Sequence, residues 1–141
     1  MKQLDIQRMS KSVGALLAVI GILGVLILAF DTVLREYAPT HFDALIMFVI
    51  VDFSMASAAI FKPSKATFTL AAAWSLLRIA LLVGDVLQGV SFNYLFNPFN
   101  VVDTNPPGIP GAVLDLMLML QIILIPTSLK ARTLCSLRQV N

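Results

Sequence analysis

Four long apolar stretches run along the chain, and shorter segments rich in charged residues, proline and asparagine separate them. A helix needs about 20 predominantly apolar residues to cross a ~30 Å hydrocarbon layer, and each stretch approaches or exceeds that length. The pattern predicts an all-α polytopic membrane protein, in which a four-transmembrane-helix bundle forms a single domain over 1–141. We expect the helices at about residues 12–34, 43–61, 66–89 and 109–129.

The faces of the predicted helices indicate how they pack. In the third helix, small and polar residues recur at spacings of three and four, so they share one face that we expect to point inward. The members of this stripe are Ala71, Ser75, Arg78, Leu82, Asp85 and Gly89. In the first helix, a stripe of small residues permits close backbone approach, either within the bundle or against a partner protein. Its members are Gly14, Ala18 and Gly21.

The composition agrees with this pattern. Hydrophobic residues make up 58% of the 141 residues and charged residues 13%, against about 45–50% and 25% in soluble domains. Four spans and their connections fill the chain, which leaves no room for a soluble catalytic domain. A nucleic-acid partner and a cofactor have no support, and the expected partners are the lipid bilayer and other membrane protein subunits.

The basic residues are distributed unevenly between the connecting segments. Eight of the ten lysines and arginines lie in three segments, 2–11, 62–65 and 130–138. Arg35 alone lies in a segment on the opposite side, and Arg78 lies within a helix. Cytoplasmic segments carry the excess of lysine and arginine in membrane proteins. We therefore expect a multi-pass protein of the cell membrane with both termini cytoplasmic.

The long connection 90–108 carries aromatic rings interleaved with asparagines. Such side chains suit the headgroup region, where one end of a ring is apolar and the other is wet. This loop is expected to lie at the outer interface, either as a simple anchor or as a docking surface for another subunit. The rings assigned to partner packing are Phe92, Tyr94, Phe96 and Phe99.

Four ionisable residues fall inside the predicted spans: Asp52, Arg78, Asp85 and Asp115. A charge at this depth costs about 2.5–3.5 kcal/mol on insertion scales and is expected to face protein or water. Folding the second and third helices about their short loop places Asp52 opposite about Ser75, one turn from Arg78. Helical side chains lean toward the N-terminus of their helix, so Arg78 leans toward Asp52. The sequence predicts a structural ion pair between them.

Asp85 and Asp115 are expected at similar depths near the outer ends of their helices. If two buried carboxylates approach each other, they share a proton or a cation, because both cannot remain ionised cheaply. This predicts a possible proton or cation site. The alternative is a structural polar core that fixes the register of the helices, and the residues themselves leave both open.

Metal binding and nucleophilic catalysis have weak support. His41 and Asp43 form a His-x-Asp pair and are weak metal candidates, but the chain has a single histidine. An interfacial or N-capping role is therefore favoured for them. No serine, histidine and aspartate set lies at depth and no glycine-rich phosphate loop occurs, so we expect no catalytic residues.

These observations favour a non-catalytic accessory or structural subunit of a larger membrane complex. A respiratory or metal-dependent membrane oxidoreductase is one complex that would use such a subunit, and the chain could contribute to a site shared between subunits. The alternative is a small homo-oligomeric transporter or channel that moves protons or cations through its intramembrane carboxylates. The number and topology of the spans occur in many unrelated proteins and identify no family.

Overall fold

The structure, a computed structural model, describes residues 2–87 and 111–139. Every regular element among these residues is a helix, and four of the helices are long and apolar enough to cross a membrane. The predicted all-helical fold and the predicted number of long apolar helices are thereby confirmed. The helices are α1 (Lys2–Phe30), α2 (Thr32–Tyr37), α3 (Pro39–Phe61), α4 (Lys65–Leu87) and α5 (Gly111–Gln139).

Helix α1 begins ten residues earlier than predicted. The polar segment 2–11 is helical because it continues the buried stripe of the apolar span, with a spacing that alternates between four and three residues. The buried residues of this stripe are Ile6, Ser10, Val13, Leu17 and Ile20. The charged residues of the segment occupy the other faces, where they concealed this periodicity.

The predicted end of the first span is also wrong, because Asp31 interrupts the helix. Its backbone N–H still donates to Ile27 O at 2.8 Å, while its carboxylate Oδ1 accepts from the backbone N–H of Leu34 at 2.9 Å. Asp31 is thus the N-cap of the separate short helix α2. Helix α3 then begins at Pro39, about four residues earlier than predicted, and proline at a first helical position has the required φ already fixed.

Helix α5 continues ten residues beyond its predicted end at 129. Pro126 lies inside the helix and does not terminate it. The buried stripe passes through this region with the same spacing of four and three residues and carries the helix onward to Gln139. Its members are Met117, Gln121, Leu124, Ser128 and Ala131.

The four long helices form an up-and-down bundle. Helix α1 packs against α3 and α5, and α4 packs against α5, whereas the backbones of α3 and α4 come close at few points. Round the bundle the order is α1, α3, α4, α5, with antiparallel neighbours. Buried residues that alternate at three and four positions are typical of bundles with coiled-coil packing.

Both termini of the described chain and the α3–α4 connection lie at one end of the bundle, which we call the terminal end. The connection spans 62–64, and Ser64 Oγ caps α4 by accepting from the backbone N–H of Thr67 at 3.1 Å. The opposite end carries α2. The three basic segments of the sequence all belong to the terminal end, and Arg35 belongs to the α2 end.

The small residues of α1 are used inside the chain. A Cβ on Gly14 would lie 2.5 Å from Ile60 Cγ1, and one on Gly21 would lie 3.1 Å from the ring of Phe53. Ala18 is half-buried against the same core. Gly14 and Gly21 let α1 and α3 approach closely, so neither glycine remains free for contact with another protein.

Candidate functional site

Asp52 is the most deeply buried ionisable side chain that the structure describes, with 0% of its surface exposed. Its Oδ1 accepts a hydrogen bond from Trp74 Nε1 at 2.8 Å, and its Oδ2 accepts one from Arg78. Both donors belong to α4, whereas Asp52 belongs to α3. These long side chains therefore bridge the two helices where their backbones stand apart.

Aromatic rings line the same seam between α3 and α4. The guanidinium carbon of Arg78 lies 5.2 Å from the centroid of the Phe48 ring, within the range of a cation–π interaction. Phe48 also meets Trp74 edge to face, with centroids 5.5 Å apart and ring planes at 80°. Arg78 is thus held by a carboxylate and by an aromatic face, and only 9% of it is exposed.

Helix α5 contributes Gln121, which is buried beside Arg78. In the amide orientation that satisfies its neighbours, Gln121 Nε2 donates to Ser75 Oγ at 3.1 Å. Its Oε1 then accepts from Arg78 Nε at 3.3 Å and from Arg78 Nη1 at 3.1 Å. Gln121 therefore connects α5 to two polar residues of the α4 stripe, Ser75 and Arg78.

Together these side chains form one connected group, which we call the polar cluster: Asp52, Trp74, Ser75, Arg78 and Gln121. The structure brings Asp52 and Arg78 into contact at the level expected from the short α3–α4 connection. The roles of Trp74 and Gln121 were missed. The available signals were the single tryptophan, whose N–H needs a partner when buried, and the single amide within an apolar run of α5.

The possible proton or cation site at Asp85 and Asp115 is described only in part. Asp115 lies half-buried in α5, six residues or about 9 Å along the helix axis from Gln121 toward the α2 end. Asp85 belongs to α4, but its side chain lies outside the described residues. The aromatic residues assigned to the outer loop also lie outside them: Phe92, Tyr94, Phe96 and Phe99.

The metal candidates lie at the surface. His41 and Asp43 are exposed near the start of α3, and the N-cap position of that helix is Ala38. The N-capping alternative is therefore wrong for both, and the interfacial role stays a prediction. Within 2–87 and 111–139, no three histidine, cysteine, aspartate or glutamate side chains lie close enough to hold a metal ion.

No family model matches the chain, and neither a curated protein nor a solved structure matches it. Evidence about function therefore comes from the polar cluster and the surfaces around it. Chemically, the cluster joins a carboxylate, a guanidinium, an indole, an amide and a hydroxyl, each with a partner in the same chain. Such an arrangement orients helices relative to one another.

Proposed function

We propose that this chain is a non-catalytic structural subunit of a larger complex in the cell membrane. The observation that supports this most is the internal pairing of the polar cluster. Both oxygens of Asp52 accept from α4, and Arg78 also donates to Gln121. Among the described residues, Ser128 Oγ is the one buried side-chain nitrogen or oxygen atom with no hydrogen-bond partner. The cluster thus offers its polar atoms to the chain itself, not to a substrate.

The geometry favours a fixed structural role over a relay through Asp52. A relay requires a carboxylate that can exchange its partner during each cycle. If Asp52 released Arg78, the guanidinium would be left buried beside Phe48 without a countercharge, and breaking a buried pair costs about 3–5 kcal/mol. Asp52 and Arg78 are therefore better suited to holding α3 and α4 at a fixed separation.

The exterior of the bundle supports association within a membrane. Large apolar side chains are exposed on every long helix, for example Met47 (58%), Leu70 (62%) and Met119 (59%). Exposed apolar side chains on all four long helices are covered by lipid or by other subunits in a membrane protein. With polar groups inside and apolar groups outside, the chain offers neighbouring subunits a packing surface. A respiratory or metal-dependent membrane oxidoreductase, in which other subunits carry the chemistry, is one complex that would use such a subunit.

The orientation proposed for the subunit has both termini in the cytoplasm. Its support is the charge asymmetry of the bundle, because the basic segments 2–11, 62–65 and 130–138 all lie at the terminal end. Retention of lysine and arginine on the cytoplasmic side sets the orientation of most multi-pass proteins.

Co-purification tests this proposal directly. An affinity-tagged copy, expressed from its own promoter and extracted in mild detergent, should elute with other membrane proteins in a fixed ratio on size-exclusion chromatography. Mass spectrometry of that fraction would identify them. Recovery of this chain alone, or only as a homo-oligomer, would contradict the proposal.

The transporter alternative predicts a different result. The purified chain would then conduct protons or cations in vesicles, and Asp115→Asn would abolish that flux while leaving the chain folded. Asp43→Asn is the matched control, because Asp43 is exposed near the start of α3. A flux that depends on Asp115 but not on Asp43 would replace the subunit proposal with transport.

A further inference from the structure

A groove runs between α1 and α5 in the half of the bundle nearest the terminal end. Its volume is about 660 Å³, and it opens to the outside of the bundle. The small side chain of Ala15 and the ring of Pro126 lie in its walls, and Leu16, Val19 and Ile123 extend the apolar lining. This surface faces the hydrocarbon of the bilayer in a chain that spans a membrane.

The length of the groove matches one leaflet. Along α1 its lining extends from Met9 to Val19, which is about 15 Å at 1.5 Å per residue. The hydrocarbon layer of a bilayer is ~30 Å thick, so the groove covers about half of that depth. One extended acyl chain entering from the adjacent leaflet would follow it from end to end.

Two cations flank the end of the groove. Lys130 lines it directly. Arg8 lies one turn before Ser12, which lines the groove, and residues four apart share one face of a helix. Because Met9 and Lys130 both line the groove, Arg8 lies within about one turn of the level of Lys130. Both cations are exposed.

The polar atoms beside these cations are already used within the helices. Ser12 donates to α1, and Thr127 Oγ1 donates to Ile123 O at 2.7 Å. Asp5 precedes Arg8 by three residues on the same face of α1. Asp5, Arg8 and Lys130 together give the end of the groove one net positive charge, which suits an anionic headgroup.

We propose that this groove binds one anionic phospholipid, with an acyl chain along Ala15 and Val19 and the phosphate between Arg8 and Lys130. Basic pockets between transmembrane helices recognise acidic headgroups in this way. A second copy of the chain in the same orientation is a poorer occupant, since its own terminal end would bring further basic residues against Arg8 and Lys130.

Native mass spectrometry of the purified full-length chain tests the proposal, with phosphatidylglycerol and phosphatidylcholine added separately. The wild-type chain should retain one phosphatidylglycerol in preference to phosphatidylcholine. Arg8→Gln combined with Lys130→Gln should weaken retention, by about fivefold for each charge removed. The matched control, Lys62→Gln with Lys65→Gln, removes two exposed cations from the same end but away from the groove and should leave retention unchanged.

A second pair of variants tests the apolar part of the site. Ala15→Trp should fill the groove and abolish retention, whereas Ala73→Trp, at an exposed position of α4, should not. Equal retention of the two lipids, full retention by Ala15→Trp, or equal losses in the two charge variants would each overturn the proposal. A dimer that Ala15→Trp dissociates would instead assign the groove to a second copy. These outcomes do not depend on whether the chain has partner subunits.

Discussion

At the scale of single residues, the main feature is the buried ion pair of Asp52 and Arg78 in a chain that is otherwise largely apolar. Burying two ions costs more than their attraction returns unless further hydrogen bonds satisfy their remaining atoms. Here Trp74 and Gln121 supply those bonds, and Phe48 covers one face of the guanidinium. The polar cluster therefore acts as a unit, and removing one member leaves its hydrogen-bond partners unsatisfied.

We predict that Asp52→Asn lowers the free energy of unfolding by about 3–5 kcal/mol. Asparagine keeps nearly the same shape and can still accept from Trp74 through its Oδ1. Its Nδ2 then faces the guanidinium, so Arg78 loses both its countercharge and a hydrogen-bond acceptor. Unfolding by denaturing detergent, followed by circular dichroism, gives the measurement. The single tryptophan, Trp74, gives a second signal through its fluorescence.

Two further variants make this prediction specific. Asp43→Asn neutralises an exposed carboxylate on the same helix and should leave stability nearly unchanged. Replacing both members of the pair, with Asp52→Asn and Arg78→Met, should recover much of the loss because no buried charge remains. Equal stability of the Asp52→Asn and Asp43→Asn proteins would show that the pair does not stabilise the bundle.

At the scale of elements, the α1–α3 contact depends on glycines that allow the two backbones to approach. A Cβ on Gly24 would lie 2.6 Å from Cγ2 of Val49, a β-branched side chain that is itself buried. By contrast, a Cβ on Gly84 of α4 meets nothing within 4 Å. The two positions differ in packing but not in secondary structure.

We predict opposite effects for the same substitution at these two positions. Gly24→Ala should destabilise the bundle, because overpacking costs about 1–3 kcal/mol and outweighs the gain in helix propensity. Gly84→Ala should stabilise it by about 0.5–1 kcal/mol, since alanine restricts the unfolded chain. Parallel unfolding curves of the two variants would check the signs. A gain at Gly24 equal to that at Gly84 would mean that α1 and α3 are not closely packed there.

The elements also show what the sequence can and cannot predict. The long helices follow from the length of the apolar stretches, and the buried positions of Ala71, Ser75 and Arg78 in α4 follow from periodicity. The depth of Asp52 relative to Arg78 follows from the short connection between their helices. The start of α1 and the end of α5 were not predicted correctly. The exposed charges of 2–11 concealed the buried stripe of α1, and Pro126 concealed that the buried stripe of α5 continues. Gln121 joins the polar cluster through the rotation of α5 against α4, which no local pattern of either helix specifies.

At the scale of the whole molecule, the two ends of the bundle differ in charge. The terminal end carries the basic segments and the groove flanked by Arg8 and Lys130, while the α2 end carries Arg35 together with the exposed Glu36 and Asp43. A protein with this asymmetry experiences different forces at its two ends during insertion, because lysine and arginine are retained in the cytoplasm. The asymmetry therefore predicts one orientation in the membrane.

We predict that a membrane-impermeant maleimide added to intact cells labels a cysteine at Thr40 but not one at Lys62. Both positions are exposed, one near the α2 end and the other in the α3–α4 connection, and both variants are made in a Cys135→Ser background that removes the single native cysteine. Permeabilised cells provide the control, because Lys62→Cys should then be labelled as fully as Thr40→Cys. Labelling of Lys62→Cys alone in intact cells would invert the proposed orientation. It would also place the groove between α1 and α5 in the outer leaflet. The anionic lipid proposed to bind Arg8 and Lys130 would then have to be present in that leaflet.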